Sequence, residues 1–443
     1  MRHSTTYANY PTRIDGPGVK LAVHFLAGDD PAVIGDYFLT PFTGSKAKKE
    51  QTLMAGPLRI GLIGVGQRGL QHVRSLVQLQ QDEIVQITAL ADPYPENLAD
   101  SKINGAVPAY SSSGIAMFDS ADGLIESGLV DAIWFVIPPN QHRGEIERAA
   151  MREIAIFAEK PQSLFLDDII SQDAAITKAG IASTVGFQMR HDRGYTDIHN
   201  YLQDKWVAAM TMIAETGVEG HGVKHTHTEE QGGPANRVWT ANRAWSGTSI
   251  VEAGIHQTDI MRYWSDDEVE WVRATYTDRP AELHDTEGDN PIAYTVTYGM
   301  KKGGVGNLLF TKPARSYYNG RFDYIIHTHG TIKLEDDFVD YRFDGEWPPE
   351  EKPTVDEVRH VISAGPHNTA MGAESTKGIA EVFATSIIED KPEIRLNSFN
   401  SSINSLASVL AANISNDLDG EKIVIDEFIN DDKYARYRKN PNR

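Results

Sequence analysis

The sequence predicts an α/β protein in two parts: a parallel sheet with helices on both faces, then an α/β domain whose large sheet is open and mostly antiparallel. Three observations carry this expectation. From Leu58 to about Gly186 short apolar strands alternate with amphipathic helical stretches, the pattern of a parallel sheet covered on both faces. Beyond Gly186 long alternating segments rich in β-branched and aromatic residues take over, as antiparallel strands require. The length, 443 residues, exceeds one ordinary hydrophobic core and suits two.

Residues 1–55 lack helical periodicity and contain two short apolar stretches, LAVHFLA and IGDYFLTPF. They are expected to form an arm ahead of the first domain, 56–186. That domain opens on the strand LRIGLIG and a helix near 67–80, followed by the strand IVQITALAD and a helix near 114–127. The strands DAIWFVIP, IAIFAE and IASTVGF come next, separated by helices near 141–151 and 166–180. The second domain, 187–443, begins with helices near 192–204 and 248–264. Its strands are VEWVRATYTD, IAYTVTYG, GVGNLLFTK, RFDYIIHTHG and TIKLEDDFVDYRF, with turns at Lys302-Gly303-Gly304 and Gly330. Helices near 370–390 and 398–417 close it.

Composition narrows the partners. The 62 acidic side chains against 42 Lys and Arg leave a net charge of −20, which repels phosphate backbones and anionic lipid surfaces. No nucleic-acid or membrane partner is expected. The chain has no cysteine, so thiolate chemistry, disulfides and cysteine-bound metals are excluded. The longest apolar run, Ala132 to Pro139, is far short of the roughly 20 residues that span a bilayer. Without a recognisable export signal, a cytoplasmic location is expected. The acid-rich stretch 335–351 lacks the pattern of a calcium loop and reads as a solvated face.

The chemistry-bearing motifs begin at Gly64-Val65-Gly66-Gln67-Arg68-Gly69, a G-x-G-x-x-G that follows a strand and opens a helix. Gly64 allows the tight turn, Gly66 lets the backbone approach a pyrophosphate, and Gly69 permits close helix–strand packing. Free N–H groups at the helix start bind the anion without basic side chains. Asp92 ends the second strand, where its carboxylate can accept from the adenosine ribose hydroxyls. The same charge would repel a 2′-phosphate, so NAD is expected rather than NADP, with Arg68 the one residue that could weaken the preference. The first domain is therefore read as a Rossmann dinucleotide-binding domain. Two further strand ends, Pro138-Pro139-Asn140-Gln141-His142 and Glu159-Lys160-Pro161, fall where such sheets place their ligands.

In the second domain Glu252, His256 and Asp259 have the spacing to share one helix face. An acid one turn before a histidine can orient its ring and stabilise an imidazolium. His225-Thr-His227 and His327-Thr-His329 each place two rings on one strand face, but no third ligand is identified. No metal is expected. The first pair, with Arg237, Trp239 and Asn242, makes a polar and aromatic floor suited to a polyhydroxylated ligand, and the second is read as structural.

In this order, GVGQRG, the Asp92 strand end, PPNQH, EKP, VGFQMR and the helix ending EAGIHQTD, the motifs resemble those of the glucose–fructose oxidoreductase and inositol dehydrogenase family, Gfo/Idh/MocA. The likeness runs from Leu58 to about Phe428. It implies an active site where the Rossmann domain meets the open-sheet domain, with Lys160 matching the family's Glu-Lys-Pro lysine and His256 its base. Glu252 stands where the family usually has Asp. Asn140, His142, Gln188 and Arg190 lie at positions that often approach the nicotinamide or the substrate; Pro138 and Glu159 flank the same cofactor half.

The resemblance implies an NAD-dependent oxidoreductase acting on a secondary hydroxyl of a sugar, glycoside or cyclitol. His256 would take the proton, nicotinamide C4 the hydride, and Lys160 would stabilise alkoxide character. A redox-neutral glycoside hydrolase or lyase using transient oxidation is the alternative, and a non-catalytic sensor of sugar and NAD a third. The family also implies a homo-oligomer, a dimer or tetramer assembled through the open sheet.

Overall fold

In the computed structural model, residues 56–215, 242–279, 289–312, 321–365 and 373–441 are described. The expected arm at 1–55 and the residues His225, His227, Arg237 and Trp239 lie outside them.

The first sheet has six strands: β1 (Leu58–Ile63), β2 (Val85–Ala91), β3 (Ala116–Phe118), β4 (Ala132–Phe135), β5 (Ala155–Ala158) and β6 (Ser183–Val185). Their order is β3-β2-β1-β4-β5-β6 and every pairing is parallel. Order reverses at β1, between β2 and β4, so the crevice at the strand C-termini opens beside the glycine turn. The helices are α1 (Gln67–Gln81), α2 (Asp100–Ala106), α3 (Ala121–Ile125), α4 (Glu145–Met151) and α5 (Leu166–Ala179). The strands read as unbroken apolar runs because both faces are covered: all four residues of β4 and of β5 are buried.

One expectation is corrected here. Residues 114–127 form no continuous helix; β3 and the five-residue α3 take their place. Gly123 fits closely inside the short helix, where a Cβ would come 3.1 Å from the Phe118 ring and 3.2 Å from Ser120 Oγ. Three alternating residues of an edge strand are too few to register as a period.

The second sheet has nine strands: β7 (Val207–Glu215), β8 (Val269–Tyr276), β9 (Ala293–Met300), β10 (Val305–Thr311), β11 (Arg321–His327), β12 (Gly330–Leu334), β13 (Asp337–Tyr341), β14 (Arg359–Ala364) and β15 (Ile423–Val424). Their order is β14-β13-β12-β11-β7-β10-β9-β8-β15. Only β10 and β7 pair in parallel, so the sheet is mostly antiparallel, as expected. Its helices are α6 (Arg193–Leu202), α7 (Arg243–Ser246), α8 (Ser249–Glu252), α9 (Ile255–Ser265), α10 (Val355–Val358), α11 (Ala373–Ile388), α12 (Ile403–Asp417), α13 (Ile425–Asn430) and α14 (Ala435–Arg438).

One face packs on helices through Met210, Met212, Val296, Tyr298, Leu308 and Phe310. The opposite face presents Ile213, Leu309 and Phe322, which are direct cross-strand neighbours and exposed. α11 returns to the first sheet: Ile379, Ala380, Phe383 and Ala384 are buried in the core that holds Trp134 and Phe157. Trp134 stacks on Phe157 and meets the Phe383 ring edge-on at 5.5 Å.

Candidate active site

The glycine turn has the geometry its spacing implies. Gly64 has φ +95°, and a Cβ there would lie 2.2 Å from the Val136 carbonyl oxygen; a Cβ at Gly69 would lie 2.0 Å from the Gly64 carbonyl oxygen. Both are therefore fixed by packing. Gly66 is different: nothing lies within 4 Å of its notional Cβ, so this side of the turn is open to an incoming group. Gly66 offers no side-chain cap to α1, and the first turn, which starts at Gln67, has no acid. The N–H groups there are available to an anion.

Asp92 follows β2 and is buried. Its Oδ2 accepts from Val65 N at 2.8 Å, and its Oδ1 from Tyr94 N at 3.0 Å and Asn97 Nδ2 at 2.9 Å. Three of its roughly four lone-pair sites are used, which locks the strand end to the glycine turn and leaves about one for a ribose hydroxyl. Arg68 turns inward: its Nε donates to Glu159 Oε1 at 2.8 Å and its Nη1 to Gln71 and Thr376. So occupied, it does not offset the charge of Asp92.

Glu159 is the hub beneath Lys160. Besides Arg68 it meets His72 Nε2 at 2.7 Å and accepts from Lys160 N at 3.0 Å. Although burial opposes ionisation, Arg68 and His72 hold its carboxyl well below the usual range. His72, fully buried, is pushed below its ordinary value by desolvation and then by Arg68. Its position on α1 showed no sign of this role in the sequence.

Lys160 leaves β5 toward α8. Its Nζ donates to the Glu252 carbonyl at 2.6 Å and lies 3.7 Å from Glu252 Oε1. The expected helix over 248–264 breaks into α8 and α9 at Ala253 and Gly254, where a Cβ on Gly254 would lie 2.9 Å from the Ile250 carbonyl oxygen. Glu252 and His256 are thus not on one continuous helix, and the Glu252 carboxylate is ion-paired to Lys160 and, at 3.4 Å, to Lys312.

His256 stands edge-on to Phe187, and among the described residues its buried Nδ1 has no hydrogen-bond partner. Desolvation first, then the Lys160 charge, push its pKa down to about 3, with Glu159 and Glu252 acting in the opposite sense. The ring is neutral at physiological pH, the state able to accept a proton.

The other expected positions divide. Pro138 and Asn140 are half-buried beyond β4, with Asn140 Oδ1 buried and unpartnered. His142 is buried and its Nδ1 pairs with Glu145, whose pKa falls to about 2. Burial opposes that shift, and the bond and charge of His142 together with the backbone N–H groups of Arg143 and Glu145 outweigh it. Gln188 Oε1 is buried and unpartnered.

Arg190 faces Asp259 in a bidentate pair at 2.7 and 2.8 Å and donates to Leu396 O at 2.8 Å. This buried pair uses the guanidinium structurally. Asn242 caps α7 through Ala244 N. His327 is buried against Asp340 at 3.0 Å, as a structural histidine would be. Besides His72, two residues escaped the sequence reading: Gln162, fully buried with both amide atoms unpartnered among the described residues, and Lys312. Gln162 directly follows Glu-Lys-Pro and could have been flagged by adjacency; Lys312, in a strand-end LFTKP, carried no signal.

Residues 58–187 match the Gfo/Idh/MocA model, described as an oxidoreductase family with an NAD-binding Rossmann fold. The first domain is thus similar to the NAD-binding domain of that family. Among curated relatives, the rhizopine catabolism protein MocA of Rhizobium meliloti is 24% identical over 205 residues, covering 46% of this chain and 56% of the relative. The myo-inositol 2-dehydrogenase of Thermotoga maritima is 25% identical over 267 residues, covering 60% of this chain and 72% of the relative. The chain thus matches little more than half of the first relative's length and nearly three quarters of the second's.

A solved scyllo-inositol dehydrogenase from Lactobacillus casei, with bound NAD(H) and scyllo-inositol, superposes with a TM-score of 0.62 at 16% identity. It covers 84% of this chain and 99% of that one, which establishes the shared fold. The open side of Gly66, the uncapped start of α1 and the unpartnered Asn140 and Gln188 oxygens fit the family's NAD. Among the described residues no helix is long and apolar enough to cross a membrane.

Proposed function

We propose that the chain is an NAD-dependent dehydrogenase that oxidises a secondary hydroxyl of a cyclitol, sugar or glycoside. The observation that carries this reading is the pairing of Lys160, its ammonium seated on Glu252, with a neutral His256 close enough to feel its charge. An alcohol loses a proton and a hydride on oxidation, so the site needs a proton acceptor and a cation for the developing alkoxide. NAD, when bound, supplies the hydride acceptor.

The residues divide the remaining work. Gly66 and the start of α1 hold the pyrophosphate, and Asp92 selects a ribose without a 2′-phosphate. Lys160 Nζ donates to the substrate oxygen, and the imidazole of His256 takes its proton. Burial and Lys160 make the imidazolium costly, while Glu252 and Glu159 offset part of that cost. The named relatives, which include inositol dehydrogenases, support a cyclitol-like substrate class.

Assembly into a homo-oligomer through the apolar sheet face is part of the same proposal, supported by Ile213, Leu309, Phe322 and Ile326 exposed on one face. So is a cytoplasmic location, supported by the absence of cysteine. Incubating the protein with NAD and a panel of polyols tests the activity: net NADH with an equivalent of ketone supports it. Released aglycone without net NADH would point instead to the redox-neutral cleavage.

A further inference from the structure

Lys312 directly follows β10, the strand between β7 and β9 in the nine-stranded sheet. Its N–H donates to the Ile292 carbonyl at 2.8 Å, continuing the β9–β10 ladder, and its side chain is only 5% exposed. An ammonium so buried requires a carboxylate. Lys312 meets Glu252 Oε2 at 3.4 Å, while the other oxygen, Oε1, lies 3.7 Å from Lys160 Nζ. One carboxylate therefore bridges two lysines, one from the end of each sheet.

We propose that Lys312 is a positioning residue: it braces the Glu252 carboxylate from the nine-stranded sheet so that Glu252 holds Lys160 Nζ in line for the substrate hydroxyl. The inference rests on the dehydrogenase reading above. α8, which carries Glu252, has only four residues, and a single turn with a three-torsion side chain does not fix a carboxylate by itself. Without the pull of Lys312, the carboxylate would close on the Lys160 ammonium and compete with the substrate oxygen for its protons. A second cation on the far side holds it back. Lys160 keeps its bond to the Glu252 carbonyl, so its place depends on the backbone of α8 and its availability on Lys312.

A double-mutant cycle on Lys312→Met and Glu252→Gln tests this, reading kcat, KM for the polyol, and NAD affinity by fluorescence. Lys312→Met is expected to lower kcat roughly tenfold or more, as misplacement of a reacting group does, with NAD affinity unchanged. Lys312→Arg is expected to restore most of the loss. In the Glu252→Gln background the same substitution should cost no further kcat, because nothing remains to brace. Wild-type kcat in Lys312→Met, or an equal fall in both backgrounds, overturns the proposal.

If Lys312→Met fails to fold, the decision rests on Glu252→Gln against the double variant, which leaves no carboxylate unpaired. Equal kcat there supports the proposal and a fall overturns it. Failure of the dehydrogenase reading shows separately, as wild-type product release without net NADH. The same comparison, made on product release, then decides the role of Lys312.

Discussion

At the scale of single residues the site is governed by how burial and charge divide among a few groups. In the proposed reading Lys160→Ala removes the cation that meets the substrate oxygen and leaves the glycine turn and Asp92 in place. It should lower kcat by about a hundredfold or more, comparable to losing an oxyanion donor, with NAD affinity changed little; unchanged turnover in steady-state assays would refute the assignment.

The buried histidines also set an acid limit to stability. His256 is lowered to about 3 and His191 to about 4, in both by desolvation first, and His72 is lowered as well. Each binds a proton more readily when unfolded, so stability is complete above the ordinary value of 6.5 and is lost as pH falls toward the folded values. Urea midpoints should fall between about pH 7 and about pH 5. The fall should be shallower in His256→Gln; an identical slope would remove His256 from that effect.

At the scale of elements, the glycine turn separates fold from ligand. Gly69→Ala drives a Cβ into the Gly64 carbonyl and should cost about 1–3 kcal/mol as overpacking, read as a drop in melting temperature. Gly66→Ala meets only open space in the protein. It should leave melting unchanged yet weaken NAD binding by roughly tenfold, about 1.4 kcal/mol.

The buried Arg190–Asp259 pair ties the turn at Gln188–His191 to α9, and Ser405 on α12 also donates to Asp259. Asp259→Ala strands the guanidinium and should destabilise by about 3–5 kcal/mol in denaturant unfolding.

These elements also show what the sequence made legible. GVGQRG was readable because strand, glycine spacing and helix agree locally, and the parallel strands because continuous apolar runs mark double burial. The break between α8 and α9 was not, since the apolar and polar spacing over 248–264 suits one helix and an interruption of a single turn leaves no mark in it. Nor was Lys312: its partner lies 60 residues away, and no local pattern reports a pairing across two sheets.

For the whole molecule, the six-stranded sheet presents the glycine turn, Asp92 and Lys160, and α8 and α9 bring Glu252 and His256 to the lysine. α11 packs its apolar side into the first sheet's core, so the chain closes back on the nucleotide-binding half. The charge of −20 is compatible with a phosphate-bearing cofactor because backbone N–H groups and a helix start supply the positive potential locally.

The central claim is that carbinol hydrogen passes to NAD while Lys160 and His256 handle the hydroxyl proton. The most direct measurement uses a polyol deuterated at the reacting carbon and follows the label by mass spectrometry. Deuterium should appear in NADH one-to-one with ketone, and the transfer should collapse in Lys160→Ala. Ketone or cleaved product formed with unlabelled cofactor, or full transfer in Lys160→Ala, would contradict it.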